Sequence, residues 1–162
     1  LAKKMNLPVS SVAEGAELYE SDFGEMAYPL GIHSEEEQDR IFEVQKQLIE
    51  ELADKESCIF IGRCSDYILR NHTNHFSIYI YAPYEARREN CVKILKMTSE
   101  EAEKMIRDVD EARESYTLHY AKTYSENILY KDILIDSSLY GSVDETAEIL
   151  VAMIRRKFHL AM

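Results

Sequence analysis

Apolar residues along this chain recur first with a helical period. After Ser34, Ile41, Val44, Leu48 and Leu52 fall on one face, flanked by Phe42, Ile49 and Ala53, which predicts a helix ending near Asp54. A second helix follows Thr98, with Ala102, Met105, Ile106, Val109, Tyr116 and Tyr120 as its buried arc. A third carries the stripe Val143, Ala147, Leu150, Val151, Ile154 and Phe158, and its Arg155, Arg156 and Lys157 suit the negative end of the helix dipole. All three open with the same device, a Ser or Thr followed three places later by Glu: Ser34/Glu37, Thr98/Glu101 and Ser142/Glu145. Such pairs reciprocally satisfy free backbone N–H groups. Another helix starts at Pro83, with Tyr84, Cys91, Val92 and Leu95 as its stripe.

Between these helices lie apolar runs of strand length at 58–61, 76–81 and 133–135. Their unbroken character predicts burial on both faces. Strands alternating with helices predict an α/β fold with a parallel sheet covered on each side, of the doubly wound kind. The stretch 8–33, with Gly15, Gly24 and Gly31, shows no period and reads as a long loop, a mobile flap or discontinuous segments.

A length of 162 residues fits one domain, and 46% apolar with 30% charged residues is a globular composition. No run approaches the roughly 18 apolar residues of a membrane span. The formal charge of −11 argues against a nucleic-acid polymer as partner, so an anionic ligand must be caught by a local arginine cluster. The three cysteines form no CxxC pair, which fits a reducing cytoplasm. The chain begins Leu1-Ala2-Lys3-Lys4-Met5 without a signal-type sequence, so its start is expected to reflect truncation rather than export processing. The five histidines form no HxxxH or HExxH set, leaving no metal-ligand motif, and no GxSxG elbow occurs.

Ligands of open α/β sheets bind beyond the carboxyl ends of the strands. The run 58–61 leads into Gly62-Arg63, where the glycine permits a tight exit and the arginine offers a forked cation to a phosphate; the alternative is an ordinary turn with a solvated arginine. Cys64 reads as a small buried filler. Arg88 falls within the apolar stripe after Pro83, with Arg87 beside it, as a structural ion pair or a ligand contact. Arg113 falls inside the buried arc of the second helix with Asp110 one turn away, so the two either pair permanently or jointly address a polar cleft. Tyr116, Tyr120 and Tyr124 read as core or cleft wall.

Several of these pieces stand in a recognisable order: Ile59-Phe60-Ile61-Gly62-Arg63-Cys64-Ser65-Asp66-Tyr67-Ile68-Leu69, Ile80-Tyr81-Ala82-Pro83-Tyr84-Glu85-Ala86-Arg87, Asp110-Glu111-Ala112-Arg113-Glu114-Ser115-Tyr116 and Ile135-Asp136-Ser137-Ser138. From about Ser34 to Phe158 the chain resembles the cytidylate kinase-like family of P-loop nucleoside-monophosphate kinases. The resemblance implies a three-layer P-loop kinase fold with a helical lid over 84–124, and ATP-dependent phosphorylation of CMP, dCMP or a similar small acceptor, with magnesium. It implies that Arg63, Asp66, Asp110, Arg113 and Tyr116 meet the acceptor. Arg87, with Arg88, Asp110 and Arg113, would act on the transferring phosphate, and Asp136 and Ser137 would lie on the ATP side. The family's glycine-rich phosphate loop is missing from these residues, as no GxxxxGK[ST] occurs. A non-catalytic nucleotide- or anion-binding module on the same fold is the alternative.

Overall fold

The computed structural model describes residues 18–21, 24–27 and 35–160. Part of the stretch expected to lack regular structure is a hairpin: β1 (Leu18–Ser21) pairs antiparallel with β2 (Gly24–Ala27), Tyr19 opposite Met26. Four-residue strands are too short for a period to show, and their two-residue separation is the shortest hairpin connection. The rest of 8–33 and the Leu1-Ala2-Lys3-Lys4 start lie outside the described residues.

Helix α1 (Glu35–Lys55) forms as its periodicity requires, but its buried row is Ile41, Phe42, Gln45 and Ile49, while Val44, Leu48 and Leu52 are half-buried. Ser34 and the Glu37 side chain lie outside the described residues. The run 58–61, expected as a strand, joins neither sheet found among the described residues. Ile59 and Ile61 are 89% and 90% exposed and Phe60 between them is half-buried, so the run buries one residue rather than both faces. A one-turn helix, α2 (Ser65–Ile68), follows.

The parallel sheet among the described residues has two strands, β3 (Ile78–Tyr81) and β4 (Ile133–Asp136), with Ile78 opposite Ile133 and Tyr81 opposite Asp136. Burial on both faces fails here too: Ile135 is buried, but Ile80 and Leu134 are 54% and 41% exposed. A two-stranded sheet gives each strand one neighbour and leaves part of its apolar surface outside.

Helix α3 (Tyr84–Lys93) follows Pro83, and α4 (Ser99–Ala121) begins at the expected box. Thr98 donates its backbone N–H to Glu101 Oε2 at 2.7 Å, and Glu101 N–H donates back to Thr98 Oγ1 at 3.3 Å. At α5 (Val143–Lys157), Ser142 Oγ accepts from Glu145 N–H at 3.1 Å, but the Glu145 carboxylate reaches one residue further, to Gly141 N–H at 2.9 Å. The expected stripe of α5 is rotated: Val143 is 85% exposed and Thr146 is buried, with Leu150, Ile154 and Phe158 half-buried behind it. Val151, two turns further along the expected stripe, is 45% exposed as well.

The chain forms two compact units. One holds the described residues up to Asn71 with Arg107–Ser125, around Phe42, Cys64 and Ala121. The other holds His72–Ile106 with the described residues from Glu126 on, around Cys91, Met97, Ala102 and Ile106. Among the described residues no helix is long and apolar enough to cross a membrane.

Candidate functional site

The most unusual backbone in the first unit is at Gly62-Arg63-Cys64, where φ is 70°, 58° and 54°. Glycine adopts this left-handed region freely, whereas an L side chain there costs about 1–2 kcal/mol. Three such residues in a row make one left-handed turn, closed by Ser65 N–H donating to Gly62 O at 3.1 Å. The turn is held by what it buries. Cys64 is 6% exposed and packs with Phe42 and Ala121, and α2 begins from it, Ile68 N–H donating to Cys64 O at 2.9 Å. Strain that the surroundings enforce marks places where a side chain must be aimed. Here the aimed residue is Arg63.

The Arg63 guanidinium lies 6.0 Å from the centroid of the Tyr116 ring, and its side chain hydrogen-bonds the Tyr116 hydroxyl. Burial pushes the Tyr116 phenol up to about 12, against an opposing pull from Arg63. The group is therefore neutral at physiological pH and can donate. It does so to Gln45 Oε1 at 3.5 Å, the long end of the hydrogen-bonding range. Gln45, Leu48, Ile49, Phe60, Ile61, Gly62 and Arg63 line a recess of about 160 Å³. Ligand pockets that enclose a whole drug-sized molecule run from about 300 Å³ upward. This recess is smaller than that.

Beside it, Phe42 and Tyr120 stack at 3.9 Å between ring centroids, and Tyr116 tilts against Tyr120 at 4.7 Å. Asp39 Oδ1 is 3.0 Å from His119 Nε2, and Asp39 also hydrogen-bonds Tyr120. The bond to His119 is the main cause that holds the Asp39 carboxyl below its usual range, while burial and the Asp39 bond raise the Tyr120 phenol. The sequence signal for this cluster was weak, because its partners are 80 residues apart.

The other expected site residues are placed as follows. Asp66 and Asp110 are half-buried in the first unit. Arg113 is exposed rather than inside the arc of α4, since the buried residue at that turn is Ala112, whose methyl fits where a guanidinium would not. Asp66, Asp110 and Arg113 all interact within the protein. In the second unit, Arg88 Nη1 donates to Ser99 Oγ at 2.6 Å, and the guanidinium pairs with Glu85 at 3.3 Å and Glu103 at 3.6 Å. Arg87 is half-buried beside it. Asp136 and Ser137 stand at the carboxyl end of the parallel pair. Asp136 Oδ1 accepts from Ser138 N–H at 2.9 Å, and Ser137 Oγ donates to Tyr81 O at 3.1 Å, so both brace the turn after β4. Sequence reasoning missed Gln45, whose signal was a polar residue midway between Ile41 and Ile49.

The cytidylate kinase-like family model matches residues 1–139. No curated protein matches the chain. Among solved structures, the crystal structure of an uncharacterized protein from Eubacterium ventriosum ATCC 27560 is similar over 94% of this chain and 85% of its own, with a TM-score of 0.65 and 20% identity. At that identity the likeness concerns the fold.

Proposed function

Because the chain belongs to the cytidylate kinase-like family, we propose that it serves ATP-dependent phosphorylation of CMP, dCMP or a similar small acceptor, on a three-layer P-loop kinase fold. The observation that carries this reading is the strained Gly62–Cys64 turn, which directs a guanidinium to the mouth of a recess in a protein of net charge −11. A planar fork of donors suits a phosphate, and its placement at a fixed backbone turn spares the cost of ordering it on binding. Phosphoryl transfer asks chiefly for positioning and charge neutralisation, so arginines suffice as the protein's share on the acceptor side. Arg113, exposed on α4, and Arg87 are the further cations that the reading assigns to the phosphates. A small-molecule nucleotide is then the partner. A cytoplasmic setting, where ATP is abundant, goes with it.

Magnesium supplies charge neutralisation on transferred phosphates. Among the described residues no three His, Cys, Asp or Glu side chains come together as metal ligands, and no step is assigned to magnesium.

The test is ADP formation from ATP by the full-length protein with each nucleoside monophosphate, alongside calorimetric binding of CMP. CMP-stimulated ADP release that Arg63→Ala lowers by about 10–100-fold, the worth of a charge-assisted bond of roughly 1.5–3 kcal/mol, supports the reading. Saturable CMP binding without turnover in the full-length protein replaces it with the non-catalytic module.

A further inference from the structure

Gln45 is a polar residue where the helix period calls for core. It lies one turn after Ile41 and one turn before Ile49, and all three are buried. A buried amide must place both its ends, an oxygen that accepts and a nitrogen that donates. The oxygen is held by the Tyr116 hydroxyl. Tyr116 in turn is hydrogen-bonded by the Arg63 side chain. A guanidinium only donates, so the bonds run one way, from Arg63 through Tyr116 to Gln45 Oε1. With Oε1 turned to the Tyr116 hydroxyl, the Nε2–H₂ end of the amide is on the side away from Tyr116. Gln45 lines the same recess as Arg63, and the recess is otherwise walled by Leu48, Ile49, Phe60 and Ile61.

Resting on the kinase reading above, we infer that Gln45 is a specificity-determining residue for the acceptor: its amide nitrogen donates to a carbonyl or ring-nitrogen acceptor of a base seated in the recess, while Arg63 holds the phosphate end. Tyr116 is the positioning residue that keeps the amide in this orientation. The dimensions agree. At ~30 Å³ per water the recess holds about five waters, the scale of one six-membered ring. Apolar walls take the faces of such a ring and a single polar group fixes its edge. A site that hydrogen-bonds a group favours a ligand that carries it over an analogue that lacks it.

Titration calorimetry of CMP and of ribose 5-phosphate, which keeps the sugar and phosphate and lacks the base, tests this in the full chain. The wild type is expected to bind CMP about tenfold or more tightly than ribose 5-phosphate, the ratio equivalent to one good hydrogen bond. Gln45→Met should abolish most of that ratio and leave the affinity for ribose 5-phosphate within about twofold. Tyr116→Phe, which keeps the ring beside Arg63, should move the ratio in the same direction. Gln45→Glu keeps an acceptor for Tyr116 and removes the donor; its added charge faces both phosphates alike, so the ratio remains readable should the methionine variant not fold. A CMP preference that survives all three substitutions, or variants that weaken both ligands equally, overturns the role of Gln45 while the kinase reading stands. Failure of the wild type to bind either ligand overturns both.

Discussion

Arg63 holds its guanidinium 6.0 Å from the ring of Tyr116, on a backbone turn that its own side chain disfavours. A lysine at this position would keep the charge and lose the planar fork and the flat face toward the ring. Arg63→Lys is therefore expected to fold as the wild type does and to bind CMP about tenfold more weakly, as befits loss of bidentate geometry worth about 1.4 kcal/mol. Calorimetry beside a thermal melt checks this. An affinity equal to the wild type's would mean that charge alone matters there.

Gly62 starts the turn with a φ of 70°, and a Cβ built on it would meet nothing within 4 Å. Gly62→Ala thus tests backbone conformation without a steric clash. The expected loss is about 1–2 kcal/mol in a urea melt, from forcing a third L side chain into the left-handed region. A neutral result would mean that the turn relaxes to another conformation at no cost, and the claim of enforced strain would fail.

Asp39 is bonded to His119 and Tyr120, and its carboxyl is held below the ordinary value of 3.8. A depressed carboxyl contributes stability that is present above the unfolded-state value and is lost as pH falls through the lower folded-state value. Asp39→Asn should accordingly be less stable than the wild type by a constant margin at neutral pH. The margin should close as pH falls below 3.8. Urea midpoints measured from pH 7 downward test this, and a margin that widens in acid would contradict the assignment.

The Arg88 side chain is 36% exposed, between Glu85, Glu103 and Ser99. Solvent screens such a group, so Arg88→Ala is expected to cost no more than about 1 kcal/mol, falling as salt is raised. Thermal melts at low and high ionic strength separate this pairing from a packing loss, which salt would leave unchanged.

Helices α1, α3, α4 and α5, and the starts of α4 and α5, were legible in the sequence because their causes are local. Thr98 and Glu101 carry the whole signal for the start of α4 within four residues. What depended on neighbours was not. Cys58–Ile61 has the same composition as a buried strand, yet whether it pairs is decided elsewhere in the chain. The face of α1 was read through Ile41, Val44, Leu48 and Leu52 with Phe42 and Ile49 at its flank, and the row through Ile41, Phe42, Gln45 and Ile49 is the deeper one. The same one-residue rotation puts Ala112 inside α4 and Arg113 outside. At the candidate site, Gly62 announces one left-handed residue, while nothing in the letters of Arg63 and Cys64 announces the next two. Arg63 and Tyr116 were singled out in the sequence, and the structure brings them together; that Gln45 bonds Tyr116 could not be read there, since the two are 71 residues apart.

Neither compact unit is continuous in the chain: the first needs Arg107–Ser125, which follow the opening segment of the second, and the second needs the residues from Glu126 on. This interleaving imposes an order on synthesis. The first unit acquires its last segment when Ser125 leaves the ribosome, while His72–Ile106 waits for β4 and α5 to emerge. No single cut releases one unit without a length of the other attached, so deletion analysis of this protein must proceed by internal replacement rather than by truncation.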